Sequence, residues 1–297
     1  MAIKTVTAVI NGNETTLTLN NSTGKYEATI TAPSKSSYTL SGHYYPVTIK
    51  ATDTAGNVTT KDSNDATLGA SLRLVVKEKV APVLAFTYPT AGAYIINNKP
   101  TFTWKVTDAD SGVNSSTIGI TIDSGSKITD GITKTAITGG YQCSYTPSTA
   151  LSDGSHTVKI NASDNDGNAA TQVSVQFKID TVPPTLTLSN PTDGLITNNK
   201  SLTVSGTTND ATSSPVTVKV NGTAVTVSPT GAFSTTVTLV EGSNTITVVA
   251  TDSAGKSSTV TRKITLDTKA PTISAVTLTP NPVDGGKTFI ISATVTD

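Results

Sequence analysis

At 297 residues with 21 basic and 21 acidic side chains, the chain has no net charge and only 14% charged residues, which excludes the basic footprint of a nucleic-acid or anionic-membrane binder. Its one cysteine, Cys143, cannot close an intrachain disulfide, and no apolar run has the length of a membrane span or a signal-peptide core. The 35% hydrophobic content sustains cores only when divided among small domains, and enrichment in Thr, Val and Ile without helical periodicity predicts an all-β chain.

Residues 1–80 read as a partial unit. Residues 6–12 align with residues 216–222, and residues 17–26 with 225–233, so this segment is expected to open at the third strand of the later unit and to lack its first hairpin. Two inserted stretches, 34–44 and 61–70, are candidates to patch the resulting edge. Residues 47–57, VTIKATDTAGN, alternate Val47, Ile49 and Ala51 with Thr48, Lys50 and Thr52, the period of a half-buried strand, and then enter a turn. The pattern returns in residues 158–168, VKINASDNDGN, and 246–256, ITVVATDSAGK. Such recurrence marks a tandem array of one β-domain.

Proline-bearing boundaries at residues 79–82, 180–184 and 267–271 stiffen linkers between strands. They delimit two complete units, 81–180 and 181–268, each near the size of a seven-stranded sandwich. In the first, a strand over 101–106 puts Phe102, Trp104 and Val106 on one face; Trp104 is read as a core anchor, with sugar stacking as the alternative. Cys143 shares a face with Tyr141 and Tyr145 and is read as a buried thiol. In the second, strands are expected over 185–189, 202–206, 215–221, 223–228, 232–239, 244–252 and 257–266. Residues 269–297 reproduce only the opening hairpin of a further unit.

The hairpin P-x-L-x-L-x-x-P-x-D-G at 184–194, the D/E-G-S-x-T-V/I strand starts at 153 and 241, and the A-T-D-x-A-G-N turn resemble the bacterial immunoglobulin-like domains that occur in tandem on cell-surface adhesins and on phage tail and fibre proteins. The resemblance implies an elongated array of Ig-like β-sandwiches with a partial N-terminal sandwich and an isolated C-terminal hairpin. It implies a non-enzymatic structural protein, read as a virion component assembled in the host cytoplasm that supplies spacing, assembly and weak attachment to a host-surface glycan. The alternatives are a bacterial cell-surface adhesin or stalk fragment, and accessory domains of a secreted hydrolase. The two incomplete ends are complementary, which leads us to expect head-to-tail self-association by strand addition, or contact with other virion proteins. A chain cut at Asp297, or edge patching by the two inserts, would account for the ends otherwise.

The candidate ligand site is acidic. Asp108, Asp110, Asp164, Asp166 and Asp180 place carboxylates at alternate loop positions beside glycines, a donor set suited to Ca²⁺. Turn and linker capping is the competing and simpler reading, because the turns at Asp53 and Asp252 carry one Asp each. No other cofactor is expected. Gly255-Lys256-Ser257 and Gly286-Lys287-Thr288 echo a phosphate loop but lack its first glycine and a following helix. His43 and His156 fall in different units without metal or triad motifs, so no catalytic residue is assigned. Tyr38, His43, Tyr44 and Tyr45 form a candidate aromatic platform, for which packing is the simpler role.

Overall fold

A computed structural model describes residues 2–297. Among them are 24 strands and two single turns of 3-10 helix, with no α-helix, so the chain is all-β as its composition predicts. It forms two compact units, Met1–Ile179 and Asp180–Asp297, each combining one complete sandwich with one incomplete set of strands.

The first unit opens on a single sheet. Strands β1 (Ile3–Ile10), β2 (Asn13–Asn20), β3 (Lys25–Glu27), β4 (Tyr45–Asp53) and β5 (Val58–Lys61) lie in the order β3-β2-β1-β4-β5, and β6 (Arg73–Leu74) pairs with the start of β4. The β1–β4 register sets Val6 against Ala51 and Ala8 against Ile49, gathering the alternating apolar residues on one face. Val6, Ala8, Tyr45 and Leu72 are buried there, but both extensive core clusters lie elsewhere in the chain. The first insert is tied down locally: Ser37 Oγ donates to the His43 carbonyl at 3.0 Å, and Tyr45 Oη donates to the Lys35 carbonyl at 3.2 Å. Lys61 donates to Asp65 at 2.5 Å, which in turn accepts from the amides of Thr67 and Leu68.

The same unit continues into a sandwich. Its strands are β7 (Val83–Tyr88), β8 (Tyr94–Ile95), β9 (Phe102–Thr107), β10 (Val113–Ile122), β11 (Thr133–Ile137), β12 (Gly140–Tyr145), β13 (Gly154–Asp164) and β14 (Val173–Ile179). They form sheets β10-β13-β14-β8 and β11-β12-β9-β7. Cys143 sits opposite Trp104 and Tyr145 opposite Phe102. Phe102, Trp104, Val106, Ile118, Ile120, Cys143, Val158 and Ile160 are fully buried between the sheets, and Phe102 meets Phe177 edge to face at 5.6 Å. Burying such side chains contributes roughly 1.5–3 kcal/mol each, which a chain without disulfides needs.

The second unit repeats the plan with β15 (Thr185–Asn190), β16 (Ile196–Thr197), β17 (Ser201–Asn209), β18 (Thr217–Val220), β19 (Thr223–Val225), β20 (Ala232–Thr238), β21 (Gly242–Thr251) and β22 (Ser257–Leu266). Its sheets are β15-β17-β20 and β16-β22-β21-β18-β19. In β21 the alternation buries Ile246, Val248 and Ala250, which face Leu202 and Val204 of β17 in one core. Gly231 takes φ +81°, and a Cβ there would run into the Thr208 carbonyl, so this turn admits only glycine. In both sandwiches a two-residue strand, β8 or β16, crosses over to pair in parallel with the last strand of the opposite sheet.

The chain then forms β23 (Thr272–Thr279) and β24 (Ile290–Thr296), a lone antiparallel pair. Its register sets Ile273 against Val295, Val276 against Ala293 and Leu278 against Ile291, so these six residues share one face. That face is open: Ile273 is 65% exposed, Val276 58% and Ile291 64%.

Candidate functional site

Each sandwich gathers carboxylates at the end where the preceding segment enters. In the first unit Glu78, Asp108 and Asp164 each bring a carboxylate oxygen within 4.8 Å of the others. Glu78 precedes the proline boundary, Asp108 follows β9 and Asp164 ends β13. In the second unit Asp180, Asp210 and Asp252 do the same, from the boundary, from just after β17 and from just after β21. Two unit charges at that distance repel by roughly 3 kcal/mol at an effective dielectric constant of about 20. Buried carboxylates therefore need donors or a cation.

The five residues expected to act together are divided by the fold. Asp108 and Asp164 converge with Glu78. Asp110 turns away: its Oδ1 accepts the Ser36 amide at 3.1 Å, and its Oδ2 stands 4.0 Å from Lys35 Nζ. Asp166 Oδ2 accepts the Glu78 amide at 2.9 Å, clamping the backbone that carries a cluster member. Asp180 belongs to the second cluster. Glu78 and Asp210 escaped sequence reasoning, although a signal existed: Glu78 to Asp180 and Asp108 to Asp210 are the same distance along the chain.

Hydrogen bonding differs between the clusters. In the first, Asp108 Oδ1 accepts the amides of Asp110 and Gly112, and Ser111 N–H donates to Glu78 Oε1 at 2.6 Å. Asp164 is capped on both oxygens by Asn168, whose backbone amide reaches Oδ1 at 2.8 Å and whose side-chain amide reaches Oδ2 at 2.6 Å. Asp53 is capped identically by Asn57, and these donors, the Asn57 side chain foremost, hold its carboxyl below the usual range. In the second cluster Asp180 Oδ2 accepts from Ser213 Oγ, Asp210 Oδ1 accepts the amides of Thr212 and Ser213, and Asp252 Oδ1 accepts the Lys256 amide at 2.9 Å. Asp252 Oδ2 is buried with no hydrogen-bond partner. Among the described residues, no ion pair includes a member of this cluster.

The other candidates are tied into structure. His156 is buried, its Nδ1 2.9 Å from Asp123 Oδ2 and its Nε2 2.8 Å from the Ser152 carbonyl, with the ring stacked on Phe177. Tyr38 stacks on His43 at 4.4 Å, and Arg73 lies over the Tyr44 ring, so the expected platform is engaged with itself. The two phosphate-loop echoes lie in strand-connecting turns.

Residues 91–181 match the family profile of a bacterial Ig-like domain, and residues 184–268 match that of glucodextranase domain B. The chain carries tandem Ig-like domains. The acidic clusters thus sit where a chain segment enters each Ig-like domain. Over 146 residues, 49% of its length, the chain is 34% identical to Bacillopeptidase F of Bacillus subtilis, of which it spans 10%. Among solved structures it is similar to the fibronectin(III)-like modules of Clostridium thermocellum CbhA, with 19% identity, 62% of this chain and 94% of that one covered and a TM-score of 0.38. It is also similar to an I-band fragment of titin, with 14% identity, 89% and 88% covered and a TM-score of 0.41.

Proposed function

We propose that the chain is a non-catalytic accessory segment of an extracellular or cell-surface bacterial protein. In this reading residues 81–180 and 181–268 are spacer domains, and the N-terminal sheet of one copy packs on the C-terminal hairpin of another. The observation that carries it is the repetition of one sandwich plan with all its conspicuous polar groups spent on turns and on the two entry clusters. Bacillopeptidase F supports it, since a relative matched over a tenth of its length is matched in a module rather than in the whole. The residue types used most in acid–base and nucleophilic chemistry, His156 and Cys143, are both committed to packing. A phage-particle role draws no support from these relatives, and we carry forward its cell-surface alternative.

The assembly surface in this reading is the open face of β23 and β24. Soluble proteins rarely leave a contiguous apolar sheet face uncovered, and a lone hairpin is marginal in water. The equivalent hairpin of the second Ig-like domain, β15 with β17, packs against the sheet β22-β21-β18-β19. The N-terminal sheet has the matching order β5-β4-β1-β2 and lacks an extensive core, so a second copy offers the complementary layer. Sedimentation velocity of the full chain across the micromolar range should show concentration-dependent oligomers, which the double substitution Leu278→Lys, Ile291→Lys abolishes. Monomers at every concentration would sink this assembly reading.

A further inference from the structure

We infer that Asp180, Asp210 and Asp252 form a binding site for one hard divalent cation of the Ca²⁺ class, and that the corresponding cluster of the first Ig-like domain does not. The distinction comes from one residue. All three repeated turns end with a residue whose backbone amide caps the Asp Oδ1 four positions earlier: Asn57 for Asp53, Asn168 for Asp164 and Lys256 for Asp252. In the first two, the asparagine side-chain amide also closes Oδ2. Lysine has no such amide, and Lys256 forms no ion pair with Asp252 among the described residues. The third turn therefore leaves a carboxylate oxygen bare in a residue only 6% exposed.

That residue lies beside two further buried carboxylates. Asp180 is 0% exposed and Asp210 8%, and each has an oxygen within 4.8 Å of the others. Anionic oxygens converging without ammonium or guanidinium, one of them lacking even a hydrogen-bond donor, make an arrangement that a cation satisfies and hydrogen bonds alone do not. Oxygen-only donors select a hard ion, and three carboxylates leave room for the water or carbonyl ligands that complete six to eight positions around Ca²⁺. In the first cluster Asp164 has no free oxygen to offer and Glu78 is held by Ser111. Among the described residues, none of its carboxylate oxygens is buried without a hydrogen-bond partner.

Isothermal titration calorimetry of the full chain with CaCl₂ tests this. One site per chain is expected. Asp252→Asn should weaken binding at least tenfold. Lys256→Asn, which restores at a half-buried position the amide cap of the other two turns, should do the same while leaving the fold intact. Glu78→Gln should leave the titration unchanged. No heat with Ca²⁺ would overturn the inference. A stoichiometry of two that Glu78→Gln reduces to one would overturn the claimed difference between clusters. Unaltered binding by Lys256→Asn would overturn the role of the bare oxygen.

Discussion

Asn57, Asn168 and Lys256 occupy one position in three copies of a turn, and the side chain at that position decides whether the carboxylate four residues earlier is closed or open. The turn itself needs only the Asp and the glycine, which is why the three sequences read alike. Cys143 shows the opposite case, a reactive residue type made inert by its surroundings. It is fully buried opposite Trp104, and burial pushes its thiol up to about 11, with Lys134 pulling the other way. Thiolate is the reactive form, so an alkylating reagent near neutral pH should label the native chain only as fast as the first sandwich opens. Labelling should accelerate steeply across the denaturant transition and stay negligible below it; rapid labelling without denaturant would contradict this packing. The core placement of Trp104 and Cys143 was legible in the alternation of 101–106 and 141–145. The ligand grouping was not. Spacing along loops 108–112 and 164–168 suggests alternate-position ligands, but the backbone turns Asp110 and Asp166 toward Ser36 and Glu78, and long-range pairing of this kind leaves no local signature.

Among elements, the N-terminal sheet differs from the sandwiches in what stabilises it. It lacks a large buried cluster and leans on carboxylate-capped turns. The Lys61 ammonium and the amides of Leu68 and Thr67 hold the Asp65 carboxyl well below its ordinary range, and Asn57 lowers that of Asp53. A depressed native pKa means that these contacts contribute fully above the ordinary carboxylate range and are lost as pH falls through it toward the native value. Hydrogen exchange in β4 and β5, with intrinsic rates taken into account, should therefore lose protection below about pH 4 before β13 or β21 does. Asp65→Asn should remove part of that acid sensitivity. Simultaneous loss in all four strands would show that the sheet does not open separately. Element types were legible because strands of period two, punctuated by Asn-Gly and Pro-Thr-Gly turns, dominate the chain. The short crossover strands β8 and β16 were not, since two residues carry no periodicity and their place is set by the opposite sheet.

For the whole molecule, the repeat makes one domain plan serve several positions, and small changes within it produce local differences in chemistry. The boundaries at 79–82 and 180–184 mark where each Ig-like domain begins, and Glu78 and Asp180 beside them feed the entry clusters. A cation that binds only the folded second unit must stabilise it by an amount that grows with the ratio of free ion to dissociation constant, about 2.7 kcal/mol at a hundredfold excess. The first unit, whose cluster is closed by Asn168 and Ser111, has no such term. Differential scanning calorimetry of the full chain in Ca²⁺ and in chelator makes the most direct test. The transition of the second unit, Asp180–Asp297, should move to higher temperature with Ca²⁺ while that of the first unit stays in place, and Lys256→Asn should shrink the movement. Transitions that both ignore Ca²⁺, or that both rise with it, would contradict the account.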